Sequence, residues 1–178
     1  SNELRVEKWK WFSLKEISNV YTGDDLILSM VDDGEIPVAS HKVENNGVGA
    51  MVDKIDNRQL FDCEKTIALA DRGCFHASVQ TEDFYIGTRV KALEMKCCVS
   101  KGVLIFIATI VNQETFKYSY GRNCTAGVEN VRIKLPVKHN DDGIIFIDDE
   151  HTYSDEGYVP DWQFMEDYIK SLPYGDRL

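Results

Sequence analysis

Residues 65–73 read Lys-Thr-Ile-Ala-Leu-Ala-Asp-Arg-Gly, an apolar segment followed at once by three residues that favour a turn. Short runs that contain β-branched and other apolar residues are typical of strands, and a Gly beside polar residues is typical of the turn that ends a strand. The sequence therefore predicts a strand over residues 65–70 and a turn at Asp71-Arg72-Gly73.

Apolar segments of this kind recur along the chain, separated by residues that favour turns. Asn45-Asn46-Gly47 is a strong turn signal because Asn and Gly tolerate positive φ. Residues 128–135 alternate, which places Val131, Ile133 and Leu135 on the inner face of a strand. Strands are predicted, in chain order, over residues 7–14, 36–39, 65–70, 77–80, 89–95, 128–135 and 144–147. Their spacing of roughly ten residues favours a β-rich core.

A few helices are expected among these strands. Ser13 and Glu16 have the spacing of a capping box, so a helix is predicted over residues 14–21. Residues 101–120 contain a second helix, whose apolar positions share one face. A third helix is predicted over residues 162–172. Strands combined with these helices give the fold class α+β.

The composition is that of a globular chain without a membrane segment. The 178 residues fit one domain, or one domain with a helical extension, and 43% of them are hydrophobic, enough for a core without staples. No apolar stretch approaches the roughly 20 residues that cross a bilayer. Five Cys and no secretory signal predict free thiols in a reducing compartment, so we expect a cytoplasmic protein.

The charge of the chain is unevenly distributed. The net charge is −10, which by itself disfavours nucleic acid as a partner. Residues 85–138, however, carry nine Lys or Arg against three acids, whereas residues 139–178 carry eleven acids against two bases. Concentrated basic charge on an acidic chain can present one face to phosphates. The alternative is that the basic stretch is only solvated surface.

Motifs for catalysis and metal binding are weak or missing. The signatures G-x-x-x-x-G-K-[ST], G-x-G-x-x-G, G-x-S-x-G and H-E-x-x-H do not occur, nor does the N-P-P-Y motif of DNA methyltransferases. The side chains nearest to a metal set are Cys63, Cys74, His76, Cys97 and Cys98. Cys63 and Cys74 are eleven positions apart, whereas zinc ligands usually come in C-x₂₋₄-C pairs, so we expect buried thiols instead. No catalytic residue and no cofactor is predicted.

One acidic cluster leaves an enzymatic alternative open. Asp62, Glu64 and Lys65 resemble half of a Mg²⁺-dependent nuclease site, which needs two acids and a Lys converging on the ion. These residues flank the start of a strand, where exposed charges are common. A small nuclease or hydrolase is therefore one alternative function, and an acidic protein-interaction domain is another.

Three loops have the side chains that a DNA reader needs. Arg and Lys contact phosphates and guanine, Asn and Gln read adenine, and apolar groups contact the thymine methyl. The loops are residues 40–47, residues 71–73 and residues 117–123. The candidate DNA-binding residues are Ser40, His41, Lys42, Asn45, Asn46, Arg72, Lys117, Tyr118, Tyr120, Arg122 and Asn123. Two alternatives remain open: a salt-bridged turn at 71–73, and a polar helix C-terminus at 117–123 whose cations complement the helix dipole.

The order of these segments resembles a known family, the target-recognition domain of type I restriction-modification specificity subunits and of related type II subunits. Each segment is short, but together they run in order from residue 12 to residue 136. The matching segments are Phe12–Ile17, Val20, Gly23, Gly34–Val38, Asn46-Gly47, Thr66–Gly73, Tyr120-Gly121-Arg122, Thr125-Ala126-Gly127 and Val131–Pro136. Residues 160–173 also look like a segment of such subunits.

The resemblance implies an α+β domain with a β-rich, double-β-helix-like core and helices that dock on partner subunits. It implies that the domain reads one half of a bipartite site in double-stranded DNA, while a DNA methyltransferase subunit modifies adenine and a restriction subunit cuts. It implies no catalytic residue in this chain. We therefore expect a target-recognition domain over residues 1–147, followed by an acidic connector and a C-terminal docking helix over residues 148–178.

The sequence departs from the family pattern in two places. The Leu-Pro of the family is commonly followed by a second Pro and a Gln-rich helix, whereas Val137-Lys138-His139 follows here. A second recognition domain is also missing. The chain is therefore expected to be either a half-subunit that acts with a second specificity half, such as a homodimer, or a fragment of a larger chain.

Overall fold

The computed structural model describes residues 4–97, 99–114, 127–173 and 175. Within these ranges the chain forms short strands and a few helices, which confirms the predicted α+β class with a β-rich core. The elements are β1 (Lys10–Ser13), α1 (Leu14–Ile17), β2 (Ser18–Thr22), β3 (Asp33–Ala39), β4 (Val48–Val52), β5 (Thr66–Ala70), β6 (His76–Val79), β7 (Tyr85–Ile86), β8 (Lys91–Met95), α2 (Lys101–Gln113), β9 (Arg132–Leu135) and α3 (Trp162–Ser171).

Strand β5, which forms most of the predicted strand at residues 65–70, lies inside a four-stranded antiparallel sheet with the order β2-β8-β5-β6. All five of its residues are buried. Successive side chains point to opposite faces of a strand, so Ile67 and Leu69 enter the main core while Ala68 packs into a second cluster around Phe61 and Phe84. Burial on both faces explains why this strand shows no alternation of apolar and polar residues.

Helix α2 packs on strands β5 and β6 of this sheet, and helix α3 packs on α2. Helix α2 buries Leu104, Ile107 and Val111, which lie on one face as predicted. Helix α3 adds Met165 and Ile169 to the same core. None of the helices in the described part of the chain is long and apolar enough to cross a membrane. The predicted division of the chain at residue 147 stays a prediction, and α3 packs directly on α2.

Two smaller sheets complete the fold. Strands β1 and β9 pair antiparallel, with Trp11 opposite Lys134, and the predicted inner positions Ile133 and Leu135 are fully buried. The third sheet has the order β4-β3-β7, in which β3 and β7 run parallel. The described residues thus form three separate sheets, and the double-β-helix-like arrangement stays a prediction.

The predicted helix over residues 14–21 is wrong in its length. Glu16 Oε1 does accept from Ser13 N–H at 3.1 Å and from Ser13 Oγ at 2.6 Å, as the capping-box spacing suggested. The helix nevertheless ends at Ile17, and residues 18–22 form β2, which pairs with β8. Tyr, Val and Thr favour strands, and pairing with β8 satisfies the backbone better than a second helical turn.

The predicted strand over residues 144–147 is also wrong. Among the described residues only one isolated bridge forms there, between His139 and Ile145. Asn140 N–H donates to the Ile144 carbonyl at 2.8 Å, and Phe146 N–H donates to the Lys138 carbonyl at 2.9 Å. The segment is therefore a loose hairpin. The side chains of Ile144 and Ile147 are exposed instead of buried.

Candidate nucleic-acid interface

Two of the three predicted DNA-binding loops lie next to each other, since His41 of the first loop is close to Asp71 and Arg72 of the second. The connection between β3 and β4 contains residues 40–47, and the turn between β5 and β6 contains residues 71–73. The first loop is closed by Ser40, whose N–H and Oγ both reach the Gly47 carbonyl, at 2.8 and 3.1 Å. The fold therefore brings together loops that are 24 residues apart in sequence.

The first loop is attached to strand β6 by side-chain amides. Asn46 Nδ2 donates to the Val79 carbonyl at 3.0 Å, and Gln80 Nε2 donates to the Asn46 carbonyl at 2.9 Å. The side chain of Gln80 is buried, and its hydrogen bond holds the loop against the protein interior. Asn45 and Asn46 are exposed. The loop is thus positioned by the rigid sheet, which suits a reading surface.

The backbone of this loop explains its sequence. Asn45, Asn46 and Gly47 have φ values of 50°, 53° and 77°, in the left-handed region that Asn and Gly tolerate best. The predicted turn is therefore confirmed. A Cβ on Gly47 would lie 3.3 Å from Ser78 Oγ, so the turn also needs a small residue where it approaches β6.

The second loop is held by an ion pair. Lys91 Nζ, at the start of β8, lies 3.1 Å from an oxygen of Asp71, and both side chains are mostly buried. Arg72 is exposed beside this pair. The alternative of a salt-bridged turn thus describes Asp71, whereas Arg72 has no ion-pair partner in the part of the chain that the structure describes.

His41 of the first loop lies close to Asp71 of the second. Its two ring nitrogens and Oδ1 of Asp71 are buried, and among the described residues they make no hydrogen bond of good geometry, although the Thr88 backbone approaches the imidazole. Burial lowers the pKa of His41, and the nearby Asp71 carboxylate only partly opposes this effect. The imidazole is therefore mainly neutral at pH 7, where it can donate one hydrogen bond and accept another.

A small apolar recess opens beside His41. Its volume is about 140 Å³. The lining residues are Leu26, Leu28, Val38, Ser40, His41, Gly49, Ala50, Gly87, Thr88 and Val90. Its mostly apolar lining can contact an apolar group such as the thymine methyl.

The cations of residues 85–138 do not form one surface. Arg89 and Lys91 lie at the loop end of β8, and Lys96 follows the other end, where its Nζ donates to the Lys15 carbonyl at 2.8 Å. Arg132 and Lys134 lie 5.5 and 5.4 Å from the ring of Trp11. The predicted basic stretch is therefore divided between the two ends of the central sheet.

The third predicted loop, residues 117–123, lies outside the described residues. Its candidates Lys117, Tyr118, Tyr120, Arg122 and Asn123 therefore stay predictions. Trp11, by contrast, was not among the predicted site residues, although Arg132 and Lys134 lie over its ring. The signal in the sequence is the alternation in Lys10-Trp11-Phe12 and in Arg132-Ile133-Lys134. This alternation brings the two cations to Trp11 only because β1 pairs with β9.

The residues of the nuclease alternative serve local structure. Asp62 Oδ1 accepts from Glu64 N–H at 2.9 Å, and Lys65 Nζ lies 3.9 Å from Glu94. In the described part of the chain, the one group of three possible ligands is Asp62, Cys63 and Asp83, which contains neither Glu64 nor Lys65. Nothing supports the nuclease alternative.

The thiols are less buried than predicted. Cys63 and Cys74 are free thiols, these two and Cys97 are half-buried, and Cys98 lies outside the described residues. Burial raises the pKa of Cys63 and of Cys74, with neighbouring acids acting in the same direction. Both are therefore protonated thiols at pH 7, which are poor metal ligands and poor nucleophiles.

Comparisons with known proteins agree with this architecture. The model of a family described as the type I restriction modification DNA specificity domain matches residues 6–147. The specificity subunit S.BcgI of a type II restriction enzyme from Heyndrickxia coagulans is 24% identical over 169 residues, which cover 93% of this chain and 44% of that subunit. The chain thus spans less than half the length of this relative.

Solved structures show the same fold at low sequence identity. The HsdS subunit from Thermoanaerobacter tengcongensis is similar with a TM-score of 0.56 and 14% identity, over 75% of this chain and 34% of that one. The S subunit of a type I restriction-modification system from M. genitalium is similar with a TM-score of 0.52 and 13% identity, over 71% and 34%.

Proposed function

Because this chain belongs to the family of type I restriction modification DNA specificity domains, we propose that it recognises a specific sequence of double-stranded DNA as the specificity component of a restriction-modification system. The observation that carries the proposal is the juxtaposition of the loops at residues 40–47 and 71–73, which connect strands of two different sheets. The chain spans less than half of its relatives, so it would read one half of a bipartite site.

The proposed DNA-binding surface, formed by the loops at residues 40–47 and 71–73, contains both charged and neutral groups. Arg72 is exposed and can contact a phosphate or the acceptor edge of guanine. Asn45 is exposed and can pair with adenine. Ser40 and His41 line the apolar recess, whose surface can contact a thymine methyl group.

Modification and cleavage of the DNA would be carried out by other subunits. The chain would be non-catalytic, with a DNA methyltransferase subunit for modification and a restriction subunit for cleavage. A second specificity half, or a second copy of this chain, would complete the bipartite site. The region of residues 148–178, with helix α3, would face these partners, and the cellular location would be the cytoplasm.

Selection from a library of random duplexes tests the proposal. We expect one enriched motif, and an affinity for it that falls steeply with salt because counterions are released from the contacted phosphates. Arg72→Ala should weaken binding by about 1–3 kcal/mol, the usual value of a good base contact. Lys54→Ala is the matched control, since this exposed cation follows β4 at the end of the β3–β4 pair opposite the loop at residues 40–47.

Two outcomes would contradict the proposal. The first is selection that enriches no motif with the chain alone or with its modification subunit. The second is cleavage of duplex DNA by the chain with Mg²⁺, especially if Asp62→Asn abolished it, because that would favour a nuclease.

A further inference from the structure

We propose that two copies of this chain pair through an apolar groove on one copy and an acidic hairpin on the other, exchanged reciprocally. The inference rests on that part of the proposed function that calls for a second recognition half. Both complementary surfaces lie in this chain, and neither contains a residue of the loops at 40–47 and 71–73.

The groove lies between the turn at Val6–Lys8 and the helices α2 and α3. Its volume is about 500 Å³. Four exposed apolar side chains converge on it, namely Leu4, Val6, Trp11 and Leu172, each between 37% and 44% exposed. Such a concentration of exposed apolar surface is typical of a binding site for another protein. An apolar hollow of this size suits side chains and does not suit phosphates.

The border of the groove is positively charged. Lys134 lines it, and both Lys134 and Arg132 lie over the ring of Trp11. Glu114 is the one acid among the described residues that line the groove. Apolar walls with two cations at one border call for an occupant that has apolar side chains followed by carboxylates.

The hairpin at residues 138–147 has this chemistry. Ile144 is 65% exposed and Ile147 is 46% exposed. Asp148, Asp149 and Glu150 follow directly in the sequence. The acids and the two isoleucines thus complement the cations and the apolar walls of the groove, and they lie in the same polypeptide.

The two surfaces are adjacent, which permits a closed dimer. Strand β9 supplies Lys134 to the groove, and the chain enters the hairpin at Lys138, only four residues later, or about 13 Å along an extended chain. A two-fold axis beside β9 can therefore place each hairpin in the groove of the other copy. Two equivalent contacts form together, which helps to reach the roughly 1,200 Å² that a stable interface buries.

Sedimentation equilibrium of the purified chain and of two single variants tests the inference. We expect the unaltered chain to dimerise and Ile144→Asp to raise the dissociation constant about 100-fold, because each dimer contains the change twice. Leu172→Asp, on the groove side, should have a similar effect. Both positions are exposed, so the variants should fold. Ile27→Asp is the matched control, since Ile27 is 60% exposed and lies in the connection between β2 and β3.

Mixing the two variants tests the reciprocal exchange. Each variant alone has both contacts damaged, whereas a heterodimer of the two retains one contact between an unaltered hairpin and an unaltered groove. We therefore expect the mixture to associate at least about tenfold more tightly than either variant alone. No recovery on mixing would overturn the exchange.

Other results would overturn the inference as a whole. One is a chain that stays monomeric at concentrations on the order of 100 µM, far above the dissociation constants of specific complexes. Another is a dimer that neither variant weakens. A groove that binds only the modification subunit would identify a different occupant. Duplex binding by Arg72→Ala separates the two proposals, because loss of DNA recognition with an intact dimer contradicts only the proposed function.

Discussion

Two regions of this molecule, the loop end (residues 40–47 and 71–73) and the groove end (the groove beside α2 and α3), are built by different kinds of interaction. The loop end is polar, and its geometry depends on few specific bonds, such as the pair of Asp71 with Lys91 and the amide contacts of Asn46. The groove end is apolar, and its geometry depends on packing around α2 and α3. We therefore expect a single polar substitution to disturb one end without the other, whereas a substitution in the core should affect both ends.

The largest effect on the free energy of unfolding is expected from Leu69→Ala, which should affect both ends together. Leu69 is fully buried in β5, and it belongs to the same core as the buried side chains of α2. A truncation of this kind usually costs about 2–5 kcal/mol, because a cavity is left. Urea denaturation measures the loss. A cost below about 1 kcal/mol would show that the core around β5 can collapse onto the space.

Asp71→Ala should act on the loop end alone. It leaves Lys91 mostly buried without its carboxylate, and we expect a loss of about 2–3 kcal/mol, below the usual value for a fully buried pair because both side chains keep some exposure. Duplex binding should fall as well, while the dimer should persist. Equal damage to the dimer in sedimentation equilibrium would contradict the independence of the two ends.

Gly47→Ala should be a smaller perturbation of the same end. The residue has a φ of 77°, and its added Cβ would press against Ser78 Oγ. We expect a loss of about 1–2 kcal/mol in urea denaturation. Gly73→Ala offers a control for the strain alone, because that glycine has a φ of 70° but no neighbour within 4 Å of the added Cβ. A cost for Gly73→Ala as large as that for Gly47→Ala would show that the contact with Ser78 is unimportant.

The smallest effect concerns the pH dependence that His41 adds to the loop end. Burial lowers the pKa of His41 in the folded protein below its usual value of 6.5, so the unfolded chain binds a proton more readily. This contribution to stability is complete above about pH 6.5 and is lost as the pH falls from there through the folded pKa. Urea midpoints at pH 7.5 and 5.5 measure the difference, and His41→Asn should reduce it. An unchanged difference in the variant would assign the pH dependence to other groups.

Local patterns predicted local structure well. The strand at residues 65–70, the turn at 45–47 and the alternation at 131–135 depend on backbone preference and on burial, which neighbouring residues encode. The helix at 14–21 was overestimated because its capping signal is local, whereas the pairing of β2 with β8 is not. The predicted strand at 144–147 is wrong because the apolar residues Ile144 and Ile147 are exposed on a hairpin.

The candidate site was predictable in its parts and not in its assembly. The loops at 40–47 and 71–73 were chosen for their side chains, and only the pairing of β3 with β4 and of β5 with β6 sets each of them at a strand end. The ion pair of Asp71 with Lys91 depends on the register of β5 and β8. The cationic surroundings of Trp11 depend in the same way on the register of β1 and β9.

The pairing of β1 with β9 also has a kinetic consequence. Lys10 lies opposite Leu135, so this two-stranded sheet closes a loop of more than 120 residues. Closing so long a loop is entropically costly and gains little until the intervening sheets exist. The ribbon should therefore assemble late in folding, and its amides should exchange with solvent sooner than those of β5, where the opening requires the whole domain to unfold.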